Sequence, residues 1–150
     1  MRVYIAAPWV RRDEAKAVGE RLIAAGHEVT SRWFQHQGDP NDSTGSTLDQ
    51  IEVRRQAGED VIDVCRADAL VVLNLEKSEG KAVETGIAIA NGIPVISVGK
   101  RSNIFQSLGW EVETVEDALL VLAVLPYLGD EPELERPPAY VMNPADDPSL

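Results

Sequence analysis

Residues 69–75 limit the possible folds more than any other part of the chain, because they are apolar at every position except Asn74. A strand that is covered on both faces has this composition, as in a parallel sheet. A second run of this kind, at residues 93–98, follows a helical segment at 81–90, and a short strand is also predicted at residues 2–8. Strands that alternate with helices in this way predict an α/β domain with a mostly parallel sheet of four or five strands.

The remaining elements are predicted from apolar periodicity and capping residues. Helical spacing marks residues 11–25 and about 48–67, and a last helix is predicted over 114–125. Two weaker strands are expected at residues 27–33 and 110–112. The expected core positions of the middle helix are Ile51, Val61, Ile62 and Cys65.

The domain organisation follows from length and local composition. The chain has 150 residues, enough for one domain that buries roughly 68–70% of its unfolded surface. We predict one domain over residues 1–126 and an acidic, Pro-rich C-terminal tail over 127–150. Inside the domain, residues 35–47 form a polar stretch that predicts a long loop, and such loops often carry function.

Charge and cysteine content exclude several classes of partner. The net charge is −11, which repels a phosphate backbone and argues against binding a polynucleotide. Cys65 has no second cysteine to pair with, which fits a reducing compartment. We find no signal peptide and no apolar run long enough to span a bilayer. We therefore expect a cytoplasmic protein without a membrane partner.

The turn after the strand at 69–75 is the strongest candidate for a site. Ligands of open parallel sheets bind at the carboxyl ends of the strands. Here a Gly-containing loop enters a helix, so free backbone N–H groups favour an anion or an electron-rich oxygen. Glu84 lies in the first turn of that helix, where it either faces a ligand or complements the helix dipole.

Three further residues near the same edge of the sheet carry polar groups of interest. Tyr4 lies inside the first strand, and its hydroxyl would need a partner if it is buried, for which Glu84 is a candidate. Arg11 and Arg12 follow that strand at a helix start, where cations are mildly unfavourable. They would either bind a phosphate or be solvated.

Acids on the helix at 48–67 and at its end are mostly expected to be solvated. We expect Asp63 and Asp68 to be a surface residue and a turn residue. Asp60 gains interest only through the resemblance described below.

The sequence lacks the residue motifs that several types of catalysis require. His27 and His36 are not spaced with Cys65 as metal ligands are. The chain has neither a G-x-S-x-G elbow nor a phosphate-binding G-x-x-x-x-G-K-[ST] loop. A mechanism based on carboxylates is what remains.

Two motifs resemble those of a known family. Residues 3–9, Val-Tyr-Ile-Ala-Ala-Pro-Trp, look like a first strand whose tyrosine orients a nucleophile. Residues 80–88 look like the signature Gly-Thr-x-x-Glu-x-Gly-x-Ala, whose Glu attacks an anomeric carbon. Over residues 2–125 the chain thereby resembles the nucleoside 2-deoxyribosyltransferases and the related nucleoside 5′-monophosphate N-glycosidases. The resemblance implies that Glu84 is the nucleophile, Tyr4 its orienting partner, and Asp60 the acid that serves the leaving base.

The resemblance also implies an architecture and partners. The family fold is a flavodoxin-like three-layer domain, its members form homodimers or larger homo-oligomers, and no metal or organic cofactor is needed. The substrates implied are a small nucleoside or nucleotide and a nucleobase. Residues 103–105 are similar to a segment that reaches into a neighbouring subunit's site. The substrate-binding residues we expect are Ala7, Trp9, Arg11, Arg12, Trp33, Ser78, Gly80, Asn103 and Phe105.

The chain departs from the family pattern at three positions in the turn. Lys81 stands where Thr is usual, and Glu79 stands where Asp is common. Ser78 occupies a position at which the deoxyribosyltransferases tend to carry an Asp that binds the free 5′-hydroxyl, whereas relatives that act on 5′-monophosphates tend to carry Ser. A Ser hydroxyl and nearby N–H groups can bind a phosphate that an Asp would repel. With Arg11, Arg12 and Lys81 near the turn, a nucleoside 5′-monophosphate becomes a candidate substrate.

Alternative functions stay open at this point. The enzyme could transfer the sugar to a second base or hydrolyse the bond, because a base and water compete for one site. A phosphoribohydrolase also uses a Gly-rich turn followed by Glu, but those proteins usually carry a longer Pro-Gly-Gly loop that this chain lacks. A non-catalytic nucleotide-binding sensor on the same fold is a further alternative.

Overall fold

A parallel sheet organises the domain. The computed structural model describes residues 1–36, 38, 39 and 41–128. Within them, five strands pair in the order β2-β1-β3-β4-β5, and every pairing is parallel. The strands are β1 (Arg2–Ala6), β2 (Glu28–Val29), β3 (Ala69–Leu73), β4 (Val95–Val98) and β5 (Trp110–Val112). The predicted α/β, flavodoxin-like fold class is confirmed.

Helices connect the strands, and side-chain caps define where most of them begin. The helices are α1 (Arg12–Ala24), α2 (Gln50–Cys65), α3 (Glu79–Ala90) and α4 (Val115–Val124). Asp49 accepts the free N–H groups at the start of α2, and Ser78 accepts one at the start of α3. Thr114 and Asp117 form a reciprocal capping box on α4. Such caps satisfy backbone donors that have no partner within the helix.

The helices cover both faces of the sheet. Successive side chains of a strand point to opposite faces. Ile5 lies against Gly19 of α1, whereas its neighbour Tyr4 contacts Glu84 of α3. Helices α1 and α3 therefore lie on opposite faces, which gives the three layers that the family resemblance implied.

The core lies along the two central strands. All residues of β3 and all but the first residue of β1 are buried. This burial explains why the run at 69–73 is uniformly apolar, since neither of its faces contacts water. From the last helix, Ala118 and Leu122 join this core as predicted.

Two details of the sequence-based prediction are wrong. The second strand spans only Glu28–Val29 rather than residues 27–33. The expected core positions of α2 are on its outer side: Ile51 is 83% exposed, and Val61, Ile62 and Cys65 are also exposed. The inward face instead carries Asp63 and Val64, because α2 packs against α3 and borders a polar cavity.

A 3-10 turn, Leu125–Tyr127, is the last element that the structure describes. The predicted tail at 127–150 lies outside the described residues from 129 onward, so its role and the boundary at 126 stay predictions. In the part of the chain described, no helix combines the length and the apolar character needed to cross a membrane.

Candidate active site

A cavity of about 740 Å³ opens at the carboxyl edge of the sheet. Its walls come from the β1–α1 turn, the loop that precedes α2, the inner face of α2 and the turn between β3 and α3. This is the edge at which parallel sheets bind ligands. The sequence-predicted residues that line the cavity are Ala7, Trp9, Trp33, Asp60, Ser78, Gly80 and Glu84.

Glu84 lines the cavity. One of its carboxylate oxygens accepts a hydrogen bond, and the other has no partner among the described residues. The buried Tyr4 hydroxyl donates a hydrogen bond to Oε1 of Glu84 at 2.6 Å. Oε2 is buried and has no hydrogen-bond partner among the described residues. A buried polar atom without a partner is costly and marks a place where a ligand can bind. The pair thus presents one oriented oxygen to the cavity.

Asp60 of α2 is a second carboxyl group of the cavity, and its Oδ1 is also buried without a partner in the described part of the chain. Burial raises the pKa of Asp60 to about 7, and the charges of Asp63 and Glu59 add to this. Burial likewise raises the pKa of Glu84 to about 8, with a smaller contribution from Asp60 and opposition from Tyr4. Burial thus makes each of the two carboxyl groups hold a proton nearer to neutral pH than an exposed carboxyl group does, as an acid catalyst requires.

Asp63 is buried, which corrects the expectation that it lies at the surface. Its side chain accepts hydrogen bonds from Nε and Nη2 of Arg32, the shortest at 2.8 Å. Thr30 donates to its backbone carbonyl at 3.0 Å. The cation of Arg32 compensates the buried charge, and this ion pair lies one helical turn from Asp60 on α2. The expectation for Asp68 holds better, since it follows α2 in the turn before β3 and pairs with Arg2.

Two tryptophans provide the aromatic surface of the cavity. Trp33 is 5% exposed, and its indole N–H donates to the carbonyl of Ile5 at 2.8 Å. Trp9 lies 6.2 Å away between ring centroids and donates to the carbonyl of Asp39 at 2.7 Å. Because both rings are fixed by backbone acceptors, the cavity contains a preformed surface for a planar ligand.

The two arginines after β1 contact protein groups rather than the cavity. Arg11 forms ion pairs with Glu14 and Glu76. Arg12 stacks over the ring of Trp9 at 5.0 Å and donates to the carbonyl of Gly38. Neither is among the residues that line the cavity, so a phosphate contact from either stays a prediction.

The turn between β3 and α3 forms the wall next to Glu84. The hydroxyl of Ser78 accepts a hydrogen bond from the backbone N–H of Lys81 at 3.3 Å and so caps α3. Lys81 itself is buried, and its ammonium donates to Asn74 Oδ1 and to the carbonyl of Glu76. The departures from the family signature therefore fall on residues that shape this turn.

Asn103 and Phe105 lie away from this cavity. The Asn103 side chain accepts from the backbone N–H of Phe105 at 3.0 Å and caps the 3-10 turn Ile104–Leu108. The Phe105 side chain is 61% exposed. Their expected role is in a neighbouring subunit's site, and that role stays a prediction.

Among the polar residues of the cavity that sequence reasoning did not name as site residues are His36, Gln56 and Lys77. His36 lies 3.0 Å from Glu59 between Nε2 and Oε2. Gln56 precedes Asp60 by one helical turn, so helical spacing alone could have placed it on the same face. Among the described residues, no cluster of three or more His, Cys, Asp and Glu side chains could hold a metal ion.

Comparisons with known proteins agree with this architecture. The family described as nucleoside 2-deoxyribosyltransferase matches residues 3–121. No curated protein sequence matches the chain with significance.

Three solved structures share the fold. A 2-deoxyribosyltransferase from Bacillus psychrosaccharolyticus is 20% identical, with a TM-score of 0.59 and coverage of 79% of this chain and 90% of its own. A conserved protein from Enterococcus faecalis V583 is also 20% identical with a TM-score of 0.59, covering 80% and 95%. A CMP N-glycosidase from Clostridium botulinum is 18% identical, with a TM-score of 0.52 and coverage of 83% and 99%.

Proposed function

The chain belongs to the nucleoside 2-deoxyribosyltransferase family, and we propose that it cleaves the N-glycosidic bond of a (deoxy)nucleoside or its 5′-monophosphate through a covalent intermediate on Glu84. The sugar then passes to a second base or to water. The observation that carries the proposal is the hydrogen bond from Tyr4 to Glu84 in a cavity that also holds Asp60.

In the first step, Glu84 in its ionised form attacks the anomeric carbon C1′ through its free Oε2, while Asp60 holds the proton. A C1′–O ester bond forms while the C1′–N bond breaks, and the electron pair of that bond stays with the base. Asp60, protonated near neutral pH because its pKa is raised to about 7, gives its proton to the departing base nitrogen. Proton transfer of this kind contributes ~10²–10⁴-fold to rates. Tyr4 holds the other oxygen of Glu84 in place throughout.

In the second step, a base nitrogen or a water oxygen attacks C1′ from the vacated side. The ester bond breaks and Glu84 leaves as a carboxylate. The ionised Asp60 accepts the proton that the incoming group loses. Two displacements at one carbon retain its configuration, which is the logic of retaining glycosidases.

The two ends of the cavity suit the two ends of a nucleoside. The rings of Trp9 and Trp33 offer a surface on which a base can stack, with Ala7 beside them. Ser78 and Gly80 lie at the start of α3, where the free N–H groups of the helix favour the oxygens of the sugar's 5′ end.

An N-glycosidase that acts on 5′-monophosphates without transferase activity is the second candidate. Ser78 supports it, since a hydroxyl tolerates a phosphate at this position. The structural neighbour from Clostridium botulinum is a CMP N-glycosidase. A nucleotide-binding sensor without catalysis is the third. A cytoplasmic location and a homodimer or larger homo-oligomer stay predictions from the sequence.

One assay separates these functions. Purified protein is incubated with deoxynucleosides and their 5′-monophosphates, with and without an acceptor base, and free base and new nucleoside are quantified. Exchange into the acceptor identifies a transferase, release of base alone identifies a hydrolase, and binding without turnover identifies a sensor. A 2-fluoro sugar analogue should leave a mass adduct on a peptide that contains Glu84.

Glu84→Ala tests the nucleophile, with Glu20→Ala as the matched control because Glu20 is an exposed residue of α1. We expect Glu84→Ala to lose turnover and Glu20→Ala to keep it. A Glu84→Ala protein that releases base as fast as the unaltered protein would show that the proposed mechanism is wrong.

A further inference from the structure

Lys81 is a buried cation whose hydrogen-bond partners are neutral. It is 2% exposed, and its Nζ donates to Asn74 Oδ1 at 3.1 Å and to the carbonyl oxygen of Glu76 at 2.7 Å. These oxygens replace water for two of the three N–H donors of the ammonium. They do not neutralise its charge, and a buried charge is costly unless an opposite charge lies near it.

The ammonium is part of a polar network that joins three segments of the chain. Asn74, directly after β3, exchanges two hydrogen bonds with the amide of Gln106, which is completely buried. Gln106 also accepts from the backbone N–H of Ser102 at 2.9 Å. Lys81 thereby ties the β3–α3 turn to the end of β3 and to the 3-10 turn after β4.

Burial lowers the pKa of the Lys81 ammonium, and the charge of Glu84 opposes that shift. Glu84 lies three residues after Lys81 on α3, a spacing that puts two side chains on the same face of a helix, and both line the cavity. The ionisable groups that act on Glu84 are Tyr4 from β1, Asp60 from α2 and Lys81 from α3 itself. Of these, Lys81 is the cation: it favours the Glu84 carboxylate, whereas Asp60 opposes it.

We propose that Lys81 is a positioning residue for the nucleophile: its ammonium fixes the turn between β3 and α3 and supplies the counter-charge that Glu84 needs to attack as a carboxylate. This inference rests on the proposed function, because it concerns the same carboxylate. It also assigns a role to the departure at this position, since the usual Thr of the signature carries no charge.

A charge role and a structural role predict different results. A structural role predicts that Lys81→Met lowers thermal stability and activity at every pH. A charge role predicts that the ionisation of Glu84 itself moves. Lys81→Met keeps the length of the side chain without its charge, and Lys81→Gln keeps an N–H donor without the charge. Lys16→Met is the matched control, because Lys16 is an exposed residue of α1.

The experiment is a carbon-13 NMR titration of the Glu84 carboxyl group, assigned by its absence in Glu84→Gln. We expect the midpoint to rise by about one pH unit or more in Lys81→Met and in Lys81→Gln, and to stay unchanged in Lys16→Met. The acidic limb of kcat/KM should rise with it. A midpoint that does not move in either Lys81 variant overturns the proposal.

A reciprocal measurement needs no variant of Lys81. If the two charges support each other, Glu84→Gln must lower the pKa of the Lys81 ammonium, which nitrogen-15 NMR detects directly. An unchanged Lys81 titration overturns the proposal even if both Lys81 variants fail to fold. Neither titration depends on turnover. If Glu84→Ala were active, the proposed function would be refuted, but the coupling between Lys81 and Glu84 could still be measured in the unaltered protein.

Discussion

Arg32 and Asp63 form an ion pair in which both carboxylate oxygens of a 2% exposed aspartate accept from one guanidinium. The pair lies one helical turn from Asp60. Burial is the main cause of the raised pKa of Asp60; the charge of Asp63 raises that pKa further, and the charge of Arg32 lowers it. The balance within the pair therefore adjusts how readily Asp60 holds its proton.

Asp63→Asn disturbs this balance in a predictable direction. It removes a negative charge and leaves Arg32 with only its longer ion pair to Glu59 at 3.6 Å, so Asp60 loses its proton at a lower pH. We expect the alkaline limb of kcat/KM to move toward acid by about one pH unit, and stability to fall by about 1–3 kcal/mol. pH–rate profiles and chemical denaturation measure the two effects.

Asp68→Asn is the control for this prediction. It removes the partner of Arg2 in an exposed ion pair, so it should cost less than about 1 kcal/mol and leave the pH–rate profile unchanged. If Asp63→Asn also leaves the profile unchanged, the ion pair has no influence on Asp60.

Tyr4→Phe removes one hydrogen bond and keeps the buried ring. Because the hydroxyl both orients Glu84 and lowers its pKa, we expect kcat/KM to fall about 10–100-fold, in line with the loss of a hydrogen bond to a charged group. The acidic limb of the pH–rate profile should move to higher pH. Steady-state kinetics between pH 5 and pH 9 measure both effects. If kcat/KM and the acidic limb of its pH profile both equal those of the unaltered protein, the prediction is contradicted.

Glu84→Gln should stabilise the fold in a pH-dependent way. Burial raises the pKa of Glu84 from 4.5 to about 8, so the folded state holds a proton that the unfolded chain releases. Below pH 4.5 the group is protonated in both states and costs nothing. Between pH 4.5 and about 8 its ionisation penalises folding by up to about 1.4 kcal/mol per pH unit. The stability gained by Glu84→Gln should therefore be absent at pH 4 and largest at pH 8–9, as thermal unfolding at these values would show.

Two glycines provide a matched pair for the packing of the sheet. A Cβ on Gly109 would overlap the carbonyl oxygen of Val95, whereas one on Gly58 of α2 meets nothing within 4 Å. Gly109→Ala should cost about 3 kcal/mol or more, because backbone must move. Gly58→Ala should gain about 0.5–1 kcal/mol from helix propensity. Equal effects in denaturant titrations would contradict this packing of β4 against the segment before β5.

Sequence patterns predicted the fold correctly where a pattern of residues is compatible with only one type of secondary structure and burial. The apolar run at 69–73 predicted a buried parallel strand, and the structure has it, with a cavity beside the turn that follows. The face of α2 was misassigned because its inward side carries Asp60 and Asp63 and borders a polar cavity. Apolar periodicity cannot detect a helix that buries acids.

The cavity residues also differ in how far the sequence could place them. Glu84 and Tyr4, which the sequence offered as possible partners, are close because β1 and β3 are adjacent. The ion pairs of Arg11 and the stacking of Arg12 on Trp9 depend on rotamers and on the loop before α2. No local pattern encodes such long-range contacts.

The pairing of β1 with β3 also governs when the site can exist during folding. It joins Val3 to Ala69 across a long intervening segment, and only this registry brings the phenol and the carboxylate together. Contacts so distant along a chain form slowly, because the entropy cost of closing a large loop comes before the contacts can stabilise the structure. During refolding, helical signal therefore returns first, and turnover returns only when the central strands have joined.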